Sequence, residues 1–168
     1  MNGKAIVALT VALCLVATAG ARASPIAPSG LAPPLPLEIV RGFDPPATDW
    51  GAGHRGVDIA SGGLVVVRSP GEGVVTFAGQ VAGRGVVVVR HPSGLLSTLE
   101  PVIASVGSGD AVREGQPVGA LDLVGSHCAP AACLHWGVRR DGEYIDPLDV
   151  LEGQGPIRLL PLIQTPRS

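Results

Sequence analysis

Apolar residues along the chain gather in short runs: Leu64 to Arg68, Gly73 to Ala78, Gly85 to Arg90, Leu95 to Leu99, Ala111 to Arg113, Pro117 to Leu121 and Cys133 to Arg139. Most are rich in Val or Leu and bounded by Gly, Pro or Ser, which predicts strands. The run Val86 to Val89 contains no polar residue, which predicts burial on both of its faces. Reversals between the runs carry Gly or a Pro-Ser-Gly segment, as in His91-Pro92-Ser93-Gly94, and suit tight turns. No convincing amphipathic stretch of helical period follows the N-terminal region. The predicted fold class is all-β, a compact antiparallel β-sandwich or half-barrel.

The two ends read differently. Lys4, the apolar run Ala5 to Ala19 and the triplet Ala21-Arg22-Ala23 have the layout of a secretory signal peptide, residues 1–23. The run is shorter than the about 20 apolar residues of a membrane-spanning helix, so no span is expected in the mature chain. Cys14 inside the run raises a lipoprotein signal as the competing reading; bulky Leu13 before it argues against that. Residues 24–38, with Pro25, Pro28, Pro33, Pro34 and Pro36, lack the backbone donors for a helix or a central strand and read as an extended linker. Residues 39–152 form the expected β domain, and 153–168 an irregular tail in which Ile157 to Leu162 could pack on the domain.

Charge and cysteine content narrow the function. Lys4 and Arg22 lie in the signal-like segment, which leaves ten cations, all Arg, against 14 carboxylates. A chain of about minus 4 lacks a basic footprint for nucleic acid. Beyond the signal-like segment two cysteines remain, Cys128 and Cys133, and in an exported protein a disulfide is the default reading, with two buried free thiols as the alternative.

Candidate chemistry sits in two segments. His54-Arg55-Gly56-Val57-Asp58 offers an imidazole and a carboxylate, both good zinc ligands, although a His and an Asp four apart in a loop are as a rule solvated side chains. In Cys133-Leu134-His135-Trp136-Gly137, strand alternation puts 133 and 135 on one face and Trp136 on the other, towards a core. A lone strand His is usually a hydrogen-bonded core residue; beside the first segment, His135 becomes a candidate third donor. His91 reads as a turn residue.

These segments, with Gly109-Asp110-Ala111-Val112-Arg113-Glu114-Gly115-Gln116 between them and Tyr144-Ile145-Asp146-Pro147-Leu148 at the end, make the region from Gly42 to Leu151 resemble the lysostaphin/LytM-type zinc metallopeptidases. The resemblance implies the β fold of that family, Zn2+ held by His54, Asp58 and His135, peptidoglycan peptides as substrate and a site outside the cytoplasm, at the cell wall. It also exposes two departures. The first His of the family's His-x-His falls on Cys133, and the His of its Thr-Tyr-Ala-His-Leu-like segment falls on Pro101, in Thr98-Leu99-Glu100-Pro101-Val102. Neither Pro101 nor a disulfide-bonded cysteine can carry a proton. Glu100 and His127 are the candidate catalytic substitutes, each with a plainer reading as a solvated loop residue.

Two functions remain in view. The first is an exported zinc metalloendopeptidase acting on peptidoglycan by metal-activated attack of water. The second is a catalytically inactive zinc- or peptidoglycan-binding module that regulates another cell-wall hydrolase. The segment Gly109 to Gly119 also resembles biotin- or lipoate-carrying domains, but those need a lysine to modify, and none follows Lys4.

Overall fold

The computed structural model describes residues 30–48, 50–63, 66–123, 125–126, 128 and 130–153. The signal-like segment, residues 24–29, His127 and 154–168 lie outside the described residues. The strands are β1 (Ile39–Arg41), β2 (Val57–Ala60), β3 (Val66–Arg68), β4 (Gly73–Val81), β5 (Arg84–Arg90), β6 (Leu96–Glu100), β7 (Val102–Ala104), β8 (Ala111–Val112), β9 (Pro117–Leu121), β10 (Cys133–Arg140) and β11 (Glu143–Ile145), followed by a 3-10 turn, Pro147–Val150.

The strands form an 8-stranded sheet in the order β1-β2-β10-β6-β5-β4-β8, with β11 paired to β10, and a 3-stranded sheet, β3-β9-β7. Pairing is antiparallel throughout. β10 is central: β2 covers its first half and β11 its last three residues on one edge, and β6 lies along the other.

Alternation along these strands separates two faces. Leu134, Trp136 and Val138 of β10, Leu99 of β6 and Val87 and Val89 of β5 point into a core shared with Val67, Val102, Val118 and Leu121 of the small sheet. Two sheets thus close on one apolar layer, as expected for a sandwich. His135, Gly137 and Arg139 of β10, Thr98 and Glu100 of β6 and Val86 and Val88 of β5 line a groove on the opposite face of the large sheet. The polar-free run Val86 to Val89 therefore has a core side and a groove side.

Two features differ from the sequence reading. β1, β2, β7 and β11 lie outside the apolar runs read as strands: each has three or four residues set between Gly, Pro, Ser or charged positions, too short a stretch to stand out from its loops. The segment read as a linker lies on the domain in its described part: Leu31 and Leu35 are core residues, and the backbone of Leu31 is bonded to Val150 and Glu152. Its prolines exclude an inner strand without preventing an extended arm from burying leucines. The run Ala111 to Arg113 does carry a strand, β8, set between two turns of the segment Gly109 to Gln116: Asp110 Oδ2 accepts from Gly107 N–H, Gln116 Oε1 accepts from Arg113 N–H, and Val112 is in the core.

Candidate metal centre

The site is built on two neighbouring strands and the loop that enters the first. Asp58 on β2 stands directly across from His135 on β10. His54 precedes β2, and its backbone is clamped to Asp44 by two hydrogen bonds of 2.6 and 2.9 Å. Its ring is fixed as well, since Nδ1 lies 2.6 Å from the carbonyl of Gly42. A carbonyl only accepts, so Nδ1 carries the proton and the lone pair of Nε2 faces into the site.

His54 Nε2 lies 3.0 Å from Asp58 Oδ1 and 3.1 Å from His135 Nδ1, and His135 Nδ1 lies 2.9 Å from Asp58 Oδ1. Donors on a tetrahedral zinc with bonds of about 2.0–2.1 Å stand roughly 3.3 Å apart, so the triangle is within a few tenths of an ångström of the spacing that ion requires. With His54 in this tautomer, one proton on His135 Nδ1 can serve both other atoms, and a bound cation would take its place. His54 and Asp58 are buried and His135 is half-buried. The chemistry and spacing of the donor set therefore fit zinc, with the carbonyl of Gly42 as the outer partner that orients His54.

The middle glycine of His-x-Gly-x-Asp has a steric role. A Cβ on Gly56 would lie 2.4 Å from the carbonyl oxygen of Trp136 and 2.8 Å from the ring of His135. The ring of His135 needs the space that only glycine leaves.

Cys128 and Cys133 form a disulfide, with Cα atoms 5.8 Å apart. Their sulfurs share a cluster with the Asp58 carboxylate in which all ligand atoms lie within 4.8 Å of one another. The bond therefore lies beside the donor triangle, on the site's face of β10. Ser126, a residue sequence reasoning passed over, braces this loop: its Oγ accepts from Cys133 N–H at 3.0 Å and from Cys128 N–H at 3.3 Å. An isolated loop serine carries no sequence signal of that role.

Glu100 is a strand residue rather than a loop carboxylate. It pairs across β6 and β10 with His135, on the side opposite Asp58, so Asp58, His135 and Glu100 form a row across three strands. Its side chain is 21% exposed and lies 3.6 Å from Arg84 Nε. Pro101 is buried and occupies the step from β6 in the large sheet to β7 in the small one. Trp136 is in the core, as expected, and its indole N–H donates to Ser97 Oγ at 3.4 Å.

His91 does begin a turn, but it is buried and away from the donor triangle. Its Nδ1–H donates to the carbonyl of Glu72 at 2.8 Å, and its Nε2 accepts from Ser97 Oγ–H at 2.9 Å. Burial lowers its pKa below the usual histidine value, opposed in part by the hydrogen bond to Glu72.

The groove beside His135 has a volume of about 460 Å³. One wall carries Phe77, Val81, Val86 and Val88; the other carries Arg55, Arg139 and Tyr144. His135 and Glu100 lie at one end of the β10 row and Arg139 at the other.

The sequence profile of Peptidase family M23 matches residues 52–147. An uncharacterized protein of Mycobacterium tuberculosis is 42% identical over 137 residues, covering 79% of this chain and 55% of its own length. The chain thus spans about half the length of the curated relatives it matches. Among solved structures, the SpoIIQ–SpoIIIAH pore forming complex matches 75% of this chain and 93% of the matched one, with a TM-score of 0.62 at 22% identity. The catalytic domain of the antimicrobial peptidase lysostaphin from Staphylococcus simulans matches 67% of this chain and 90% of its own, with a TM-score of 0.55 at 21% identity. The two likenesses establish the shared β fold, and the profile runs from ahead of His54 to beyond His135, over more than half of the chain: the chain belongs to peptidase family M23.

Proposed function

We propose that the chain is an exported zinc metalloendopeptidase that cuts peptide bonds in peptidoglycan. The observation that carries this reading is the convergence of His54 Nε2, Asp58 Oδ1 and His135 Nδ1 to about 3 Å of one another beside an open groove. Peptidases of family M23 are zinc-dependent and act on peptidoglycan peptides. Export rests on the signal-like residues 1–23. No helix among the described residues is long and apolar enough to cross a membrane.

In this reading His54, Asp58 and His135 hold the ion, and three protein ligands leave a position open for catalysis. Zinc supplies Lewis-acid activation of water and of the scissile carbonyl. The chain's own residues do the rest: the groove lays the peptide along β10, the Gly42 carbonyl keeps His54 oriented, and Glu100, next to His135, accepts and returns the proton. Cys133 and Pro101 have no proton to give.

The test measures zinc content, melting temperature and fragments released from purified peptidoglycan. Asp58→Ala should lose the bound zinc and the rise in melting temperature that zinc brings. Glu100→Gln should keep zinc and lose about a hundredfold or more in rate, with His127→Ala compared alongside. An unchanged rate in Glu100→Gln removes that residue from the mechanism.

The second reading, a non-catalytic module that binds zinc or peptidoglycan and regulates another wall hydrolase, is favoured by the cystine at Cys133 and by Pro101. Zinc-loaded protein that binds peptidoglycan but releases no fragments would select it.

A further inference from the structure

The far end of the groove carries a cation, Arg139, with no acidic partner among the described residues. Arg139 stands across from Tyr144 on β11, and its guanidinium lies 5.5 Å from the centre of the Tyr144 ring. Its Nε–H is buried and has no hydrogen-bond partner among the described residues. Glu100, the carboxylate lining the same groove, faces Arg84 instead. A sequestered donor on a permanent cation is costly unless something pairs with that cation. The Tyr144 ring gives the guanidinium a cation–π neighbour, and the planar fork of donors suits two-point binding of a carboxylate.

The distance from the metal centre is set by the strand. Arg139 is four positions beyond His135 on β10, a separation of about 13 Å at 3.3 Å per residue. Gly137 lies between them and keeps the floor low: a Cβ there would stand 3.0 Å from the carbonyl of Arg55 and 3.6 Å from His135 Nε2. An extended peptide with its scissile bond at the donor triangle would bring a group three or four residues away to Arg139, with aliphatic portions against Val86 and Val88.

We propose that Arg139, beside Tyr144, is a specificity residue that binds a free carboxylate on the peptide, three or four residues from the bond at the metal centre. This rests on the peptidase reading and adds to it a requirement on the substrate. Binding reports on this contact independently of turnover.

The experiment uses calorimetry on the full mature chain, zinc-loaded, with a stem peptide released from peptidoglycan and the same peptide with its carboxylates converted to carboxamides. The native protein should bind the acid form about ten- to a hundredfold more tightly, the span of a hydrogen bond to a charged group. Arg139→Gln should abolish that preference by weakening the acid form while leaving the amide form unchanged. Arg139→Lys should restore part of it, and zinc content and melting temperature should stay near native in both variants. Equal binding of the two peptides by the native protein, or a preference that survives in Arg139→Gln, overturns the proposal and leaves the peptide groove standing. Binding of neither peptide overturns the peptidase reading and this inference together.

Discussion

At the scale of single residues, the site depends on one close fit and the buried polar chain around His91 on another. Gly56 leaves the volume that the ring of His135 occupies, so Gly56→Ala should push that imidazole off the shared point. Zinc content after dialysis against a weak chelator should fall well below native while the β signal in far-ultraviolet circular dichroism is retained; native zinc occupancy in Gly56→Ala would contradict this. The second fit is the proton order around His91. Trp136 N–H donates to Ser97, Ser97 O–H donates to His91 Nε2, and His91 Nδ1–H donates to Glu72. Protonating Nε2 would face it with a hydroxyl already committed as a donor. Burial therefore depresses the folded pKa of His91, while in the unfolded chain the group titrates near 6.5. A depressed folded value means that the unfolded state takes up the proton first. The contribution to stability is complete above about pH 6.5 and is lost as pH falls below that and through the folded value. Urea midpoints of chelator-treated protein at a series of pH values should show this loss, and it should be smaller in His91→Asn.

At the scale of elements, β10 decides most of the chemistry. Its odd positions carry the cystine, His135, Gly137 and Arg139, its even positions from Leu134 to Val138 fill the core, and its neighbours bring Asp58 and Glu100 to either side of His135. The Cys128–Cys133 bond closes a short loop at the start of this strand. Such a loop restricts the unfolded chain little, so Cys128→Ser with Cys133→Ser should cost only about 2 kcal/mol. Denaturant unfolding measures it, and a much larger loss would mean that the bond holds β10 itself in place. Motif segments were legible in order and spacing, yet not their roles as elements: Asp58 proved to be within β2, and Glu100 within β6. A strand of four or five residues that begins after Gly56 or ends before Pro101 leaves too short a pattern to separate its first or last residues from the loop.

At the scale of the whole molecule, both sheets and the N-terminal arm share one apolar layer. Leu35 is 4% exposed, so Leu35→Ala should destabilise the domain by about 2–5 kcal/mol, as for other large-to-small core changes. A loss below about 0.5 kcal/mol in thermal or urea unfolding would restore the view of this segment as a tether.

The sequence by itself determined the all-β class and most of the long strands, made a Cys128–Cys133 disulfide the default reading and, through its resemblance to the lysostaphin-type peptidases, marked His54, Asp58 and His135 as the candidate donors. These follow from short-range facts: β-branched runs between glycines, two cysteines five positions apart beyond a signal-like segment, and side chains of the right chemistry in a recognisable order. Only the tertiary structure decided that Glu100 stands beside His135, that Ser126 braces the cystine, that His91 is locked in a buried chain of hydrogen bonds, and that Arg139 lies on Tyr144 at the end of the groove. Each of these depends on which strands are neighbours and in what register. Register is set by how both sheets bury one common core, and a shift of a single residue would turn every groove side chain inward.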